Sequence, residues 1–246
     1  IDNTWLVGPG TPANWETVVG ALPSVYYQYS SALFDDTASR FTVTVAAAVS
    51  PAAVTVTNAT NDFVWTGLRI DGNGPLVKSG AGNLTINAQN TNYTGGIGVT
   101  GGRITIGHQS ALGSTTGITV TAGGQVSLNG IPMLGKAYRY TIAGTGNDGN
   151  GAIFSTNAAL QAATSGVFTI TLAANATLGS LGDNSTDAGR WDIGANGGQL
   201  IGAGLTLTKV GGGILGIQST NNPNLANIVI NNGVLASVGT DNNLGS

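Results

Sequence analysis

Residues 76–114 read LVKSGAGNLTINAQNTNYTGGIGVTGGRITIGHQSALGS. Apolar residues alternate with small or polar ones in short runs: LTIN (84–87), IGV (97–99) and RITIG (103–107). A period of two places the apolar residues on one face of a strand. Gly, Asn, Ser and Thr fill the intervals, and these are turn formers. Such a pattern suits a chain that coils on itself, with each strand paired to the strand a full turn away, about 4.8 Å along the axis. The glycines then serve as corners that a Cβ would block. The aliphatic residues form the inner column. Asparagines at matching corners are expected to ladder, each amide bonding the next.

The pattern continues in GITVT (117–121), QVSLN (125–129), FTITLA (168–173), LTLTK (205–209), IVIN (228–231) and VLASV (234–238). A shift of 131 residues superimposes Leu76 on Leu207, Lys78 on Lys209, Gly80 on Gly211 and Gly102 on Gly233. Under the same shift Leu84 meets Leu215, Ile97 meets Ile228, Val99 meets Ile230 and Ile104 meets Leu235. Both copies, 76–114 and 207–246, close on LGS. Self-similarity along the chain is the mark of a solenoid. Sandwiches and barrels also use many strands, but longer ones than these. The fold class expected is therefore all-β, a right-handed parallel β-helix with an N-terminal capping segment. At roughly 20–25 residues per rung, ten or so rungs make a rod about 50 Å tall. STNAALQAATSG (155–166) is read as either a two-turn helix or an irregular excursion.

Residues 1–40 differ in character. They carry TWLVGPGTPANW (4–15) and VYYQYSS (25–31), turn-rich and aromatic. They are read as the capping or first-rung segment, and 41–246 as the coil. Trp5, Trp15, Tyr26, Tyr27 and Tyr29 are expected to plug the open end, because a solenoid must shield its terminal rung from water. A sugar-stacking or protein-binding surface is the competing reading of the same aromatics.

The bulk composition excludes several classes. Of 246 residues 41% are hydrophobic, so a core forms, and only 8% are charged. Forty glycines without a G-X-Y period exclude collagen. Disordered chains are poor in β-branched residues and rich in charge, the reverse of this one. The net charge is −3 and the eight Lys and Arg are scattered, so nucleic acid is not an expected partner. No apolar run approaches the roughly 18–20 residues of a membrane-spanning helix. No signal peptide is recognisable, so the chain reads as a trimmed form or a fragment. The absence of cysteine points to export through an oxidising compartment.

The quoted stretch resembles the passenger-associated transport repeat of bacterial autotransporters. In LVKSGAGNLTINAQNTNYTGGIGVTGGRI followed by ALGS it carries that family's spacing of Leu, Lys, Gly and YTGG. The copy at 207–235 is degenerate and lacks YTGG. GTGNDGNGAIF (144–154), FTITLAANATLGS (168–180) and the N-terminal TWLVGPGTPANW are also similar to members of the group. The resemblance implies a secreted or surface-attached β-helical protein of a Gram-negative bacterium. It lacks the aromatic-girdled barrel strands of such proteins. That implies a passenger part, a relative without the anchor, or a cut piece.

The search for chemistry is short. GDNSTDAGRWD (182–192) gathers Asp183, Asp187, Arg190 and Asp192, the one carboxylate group suited to a glycan-degrading β-helix enzyme. A solvated loop is the plainer reading. GTGNDGNGA (144–152) has one copy of a motif that calcium rolls stack several times, and a turn is preferred. Asp35-Asp36 is read as a turn. His108 is the lone histidine, which excludes a multi-histidine metal site and a Ser–His–Asp arrangement with Ser110. No phosphate-binding loop is present. No catalytic, cofactor-binding or metal residues are assigned, and the chain is not read as an enzyme. The expected function is an extracellular rod that self-associates end to end. Its interface residues are Trp5, Trp15, Tyr26, Tyr27 and Tyr29 at one end and Leu235 and Leu244 at the other. An adhesin binding a cell-surface receptor or glycan is the alternative, and a glycan-degrading enzyme ranks behind it.

Overall fold

The computed structural model describes residues 3–9, 12–115, 117–156, 165–182, 189–218 and 224–238. The described residues form a parallel β-solenoid of about eight turns with almost no helix. Each regular turn contributes two short strands. In the first sheet Ser31–Phe34, Ala53–Val56, Leu76–Lys78, Ile97–Val99, Ile118–Val120 and Arg139–Gly144 stack in order, each parallel to the next. In the second sheet Thr42–Val45, Phe63–Gly67, Asn83–Ile86, Gly102–Ile106, Gly124–Ser127 and Ile153–Ser155 do the same.

Alternation explains why these segments are strands. In Leu76–Lys78 the burial pattern is in, out, in, and in Gly102–Ile106 it is in, out, in, out, in. The inward residues stack on their own kind. Ala32, Val54, Leu76, Ile97, Ile118, Tyr140, Ile170 and Leu200 form one buried column through the first sheet. Phe63, Leu84, Ile104, Val126, Ile153 and Leu178 form another through the second. Full burial of each Val, Leu, Ile or Phe side chain in these columns stabilises by about 1.5–3 kcal/mol.

The spacing changes past residue 139. Val54 pairs with Leu76 and Leu76 with Ile97, about 21–22 residues apart, the length of one turn. Tyr140 pairs with Ile170 and Ile170 with Leu200, thirty residues on each time. The long strand Thr169–Ser180 makes this possible. It begins on Arg139–Gly144 in the first sheet and ends on Ile153–Ser155 in the second. Longer turns use up chain, so about eight turns form where ten or so were expected.

The final copy restores the short spacing. Thr206–Val210 stacks on the end of that long strand and is followed by Asn227–Ile230. Trp191–Ile193, Ile214–Ile217 and Val234–Ser237 make a separate three-stranded column. At the start, Thr4–Trp5 pairs parallel with Thr44–Val45, and Trp15–Glu16 pairs antiparallel with Pro23–Ser24. The strand Ser31–Phe34, inside the segment assigned to capping or the first rung, already belongs to the stack. The candidate helix at 155–166 lies largely outside the described residues.

Candidate functional site: the two ends and the buried corners

The N-terminal end is closed by aromatic rings. Trp5 is fully buried and packs against Trp15 at 5.3 Å, Tyr26 at 5.3 Å, Phe34 at 5.4 Å and Trp65 at 6.3 Å between centroids. The Tyr26 contact is edge-on. Such offset and T-shaped pairs add about 0.5–1.5 kcal/mol each beyond area burial. Desolvation raises the Tyr26 hydroxyl to about 12. Trp5 and Tyr26 thus face the core, with Trp15 half-buried beside them. Tyr27 and Tyr29 point outward, 52% and 78% exposed. The hairpin Trp15–Glu16/Pro23–Ser24 contributes Trp15 to this plug and carries Val18, Val19 and Leu22 exposed between its strands.

Among the described residues, the turn at the opposite end carries exposed apolar side chains. Asn227–Ile230 and Val234–Ser237 are each bonded by a strand on one side only among the described residues. Ile230 is 50% exposed, and Val229 and Val234 are also exposed. The counterpart of Ile230 one repeat earlier is closed: Val99 is fully buried. Leu235 is half-buried and packs on the core, and Leu244 lies outside the described residues.

Two buried lysines mark the repeat at atomic scale. Lys78 follows inward Leu76 by two residues, so alternation turns its side chain into the coil. Its Nζ donates to the carbonyls of Ser79 at 2.6 Å, Gly80 at 2.9 Å and Gly101 at 3.4 Å. Lys209 Nζ donates to Val210 at 2.9 Å, Gly211 at 2.6 Å and Asn232 at 3.1 Å. These are the same positions shifted by 131 residues. Each ammonium joins the corner of one turn to the corner of the next. Burial lowers both groups to about 8; for Lys78 the charges of Asp62 and Asp36 oppose the shift. The glycines of the motif make room. Gly80 and Gly102 have φ of +73° and +63°, and a Cβ on Gly102 would lie 2.3 Å from the Gly80 and Gly82 oxygens. Gly211 and Gly233 repeat the geometry.

At the described corners Asn90 and Asn58 bond to backbone groups rather than from amide to amide. Asn90 accepts from the Ile70 N–H at 2.8 Å and donates to the Ala111 carbonyl at 2.7 Å, tying three successive turns through their backbones. Asn58 donates to the Asn61 and Asn83 carbonyls. Bare backbone groups at a corner are the more demanding partners, because they have no strand to satisfy them. Asp36 caps another corner. It accepts from the N–H groups of Ala59, Thr60 and Asn61, and the first of these bonds leads in lowering its carboxyl to about 2.

Of the acids weighed for chemistry, Asp192 and Asp148 are structurally engaged. Asp192 is buried, bonded by Arg190 at 2.8 and 3.0 Å and by Gln218 at 2.6 Å. Asp183 and Asp187 lie outside the described residues. Asp148, in the 144–152 turn, is held by Arg103, Gln125 and Asn150, with the Arg103 guanidinium 5.0 Å over the Phe154 ring. His108 Nδ1 accepts from the Ser110 N–H at 3.0 Å, a local turn contact. Among the described residues no group of three or more His, Cys, Asp or Glu is placed to hold a metal ion. No described helix is long and apolar enough to cross a membrane.

Comparisons with protein-family models, with curated proteins and with solved structures each find no match. The lysine clamps and the hairpin tip were missed from sequence. A signal for the first was present: Lys78 superimposes on Lys209, and both occupy inward positions of an alternating run. The adjacent Val18 and Val19 in a short polar-flanked stretch gave only a weak signal for the second.

Proposed function

We propose that this chain is an extracellular structural rod of a bacterial surface that joins end to end with copies of itself. One observation carries the reading: among the described residues Ile228, Ile230 and Leu235 lie open or half-open, while Ile97, Val99 and Ile104, their equivalents one repeat earlier, are buried. Apolar surface of this kind is stabilised by covering it, at about 25 cal/mol per Å². The exposed Val18, Val19 and Leu22, in the hairpin that joins the N-terminal ring cluster through Trp15, supply a second apolar surface. Joining two different ends is a heterologous contact that does not close, so it builds a filament. The resemblance to passenger-associated transport repeats and the absence of cysteine support the surface location.

Negative-stain electron microscopy over a range of concentrations tests it. Fibres are expected, repeating at about 35–40 Å, eight turns at the strand spacing. Ile230→Asp and Leu235→Asp are each expected to leave short rods. Short rods alone from the unaltered chain, or fibres undiminished in both variants, overturn the reading.

A further inference from the structure

The outer face of the first sheet carries glycines that the fold itself does not require. Its central outward row runs Leu33, Thr55, Val77, Gly98, Thr119 and Thr141, one residue per turn. Beside it stack Ala53, Pro75, Gly96, Gly117 and Arg139. On the other side lie Thr57, Ser79, Thr100 and Thr121. Between Ala53 and Thr121 none of these positions is charged. Gly96, Gly98 and Gly117 have no positive φ, and a Cβ on any of them would meet nothing within 4 Å. A glycine in a strand weakens it, and it commonly marks close approach by another backbone or ligand. Here the three make a shallow depression next to the projecting Pro75 and Val77, the latter 37% exposed.

We propose that this face pairs with the same face of a second copy, the two rods lying antiparallel. A two-fold axis along the strands, midway between the rows of Val77 and Gly98, makes the face self-complementary. Val77 then opposes Gly98 of the other copy, Pro75 opposes Gly96, and Ala53 opposes Gly117. Every unexplained glycine receives a projecting apolar residue. The hydroxyls of Thr55, Thr57 and Ser79 oppose those of Thr119, Thr121 and Thr100. At the margins Asp35 meets Ala143 and Arg139 meets Ser31, so no like charges face each other. A foreign protein partner would be expected to find aromatic or arginine anchors, and a glycan would need rings to stack on. The central part of this face has neither. The paired area is six strands about 4.8 Å apart by five residues of about 3.3 Å, on the order of 400–500 Å² per copy. That is below the usual size of a stable interface, so the pair is weak and depends on concentration.

The chain has no cysteine, which makes the register directly readable. Leu33→Cys and Thr141→Cys are prepared separately, each with Ile230→Asp to remove end association, then mixed and treated with a short bis-maleimide. In the proposed pair Leu33 faces Thr141 at the sheet spacing of about 10 Å, while two copies of Leu33 sit at least 24 Å apart. Mixed cross-links are expected, with few of either like pair. In parallel, Gly98→Val is expected to raise the melting temperature of the monomer and weaken pairing at least tenfold in sedimentation equilibrium. Like pairs as frequent as mixed ones, a monomer at every concentration, or unchanged pairing in Gly98→Val would each overturn the proposal.

Discussion

Lys78 and Lys209 place a cation where the coil otherwise stacks aliphatic side chains, and each holds three corner carbonyls. Charge-assisted bonds of this kind contribute about 1.5–3 kcal/mol each, against the cost of keeping the ammonium from water. Lys78→Met removes both. We expect net destabilisation of about 2–3 kcal/mol at pH 7 in urea unfolding, because three bonds outweigh one desolvated group that is still protonated. Burial holds both lysines near 8 in the folded chain, below the ordinary 10.5. Between those values the unfolded chain binds more protons than the folded one, so stability rises with pH across that window. Above pH 10 the sign reverses. Tyr93, Tyr138 and Tyr140 are raised by desolvation and keep their protons when the unfolded chain loses them. Stability measured against pH should therefore peak near 10, and the double variant Lys78→Met, Lys209→Met should lose the rise between 8 and 10. A flat profile in the unaltered chain would sink this account. The lysines were legible as a repeated residue. Their task was not, because charge normally argues for the surface, and only the parity of the strand says otherwise.

At the scale of the strand and corner, glycines divide by what surrounds them. Gly102 combines a left-handed φ with oxygens on both sides of any added Cβ, and Lys78 Nζ 2.8 Å from it. Gly117 has an ordinary φ and open space. Gly102→Ala should cost at least about 2 kcal/mol, strain and clash together. Gly117→Ala should be neutral or stabilise the monomer by up to about 1 kcal/mol. Thermal melts of the two variants at low concentration check the contrast, and equal losses would show that crowding does not distinguish them. The sequence marked both as corner glycines of one kind. It could not separate them, because the difference lies in neighbours a full turn away. The strands themselves were legible, since alternation in IGV and RITIG is local. The asparagine ties were not. Asn90 spans from Ile70 to Ala111, and choosing backbone rather than another amide as its partner needs the register of three turns.

For the molecule as a whole, a solenoid turn touches only its neighbours, so stability accumulates along the axis and is least where a neighbour is lacking. Gly102–Ile106 is bonded to strands on both sides, whereas Asn227–Ile230 and Val234–Ser237 are each bonded on one side among the described residues. The aromatic plug gives the first rungs lateral packing of a kind not found in the last turn among the described residues. Local opening then follows position rather than residue type. Amide hydrogen exchange at low concentration should be slowest in 97–127 and fastest in 227–237, with protection differing at least about a hundredfold, or roughly 3 kcal/mol of opening free energy. Raising the protein concentration should slow exchange in 227–237 and leave 97–127 unaltered, because end association covers only the open turn. Ile230→Asp should remove that concentration dependence while keeping the gradient. Uniform exchange over all turns would mean that the coil opens as a single unit. A gradient indifferent to concentration would keep the one-dimensional picture and remove end association as the means of covering Ile230.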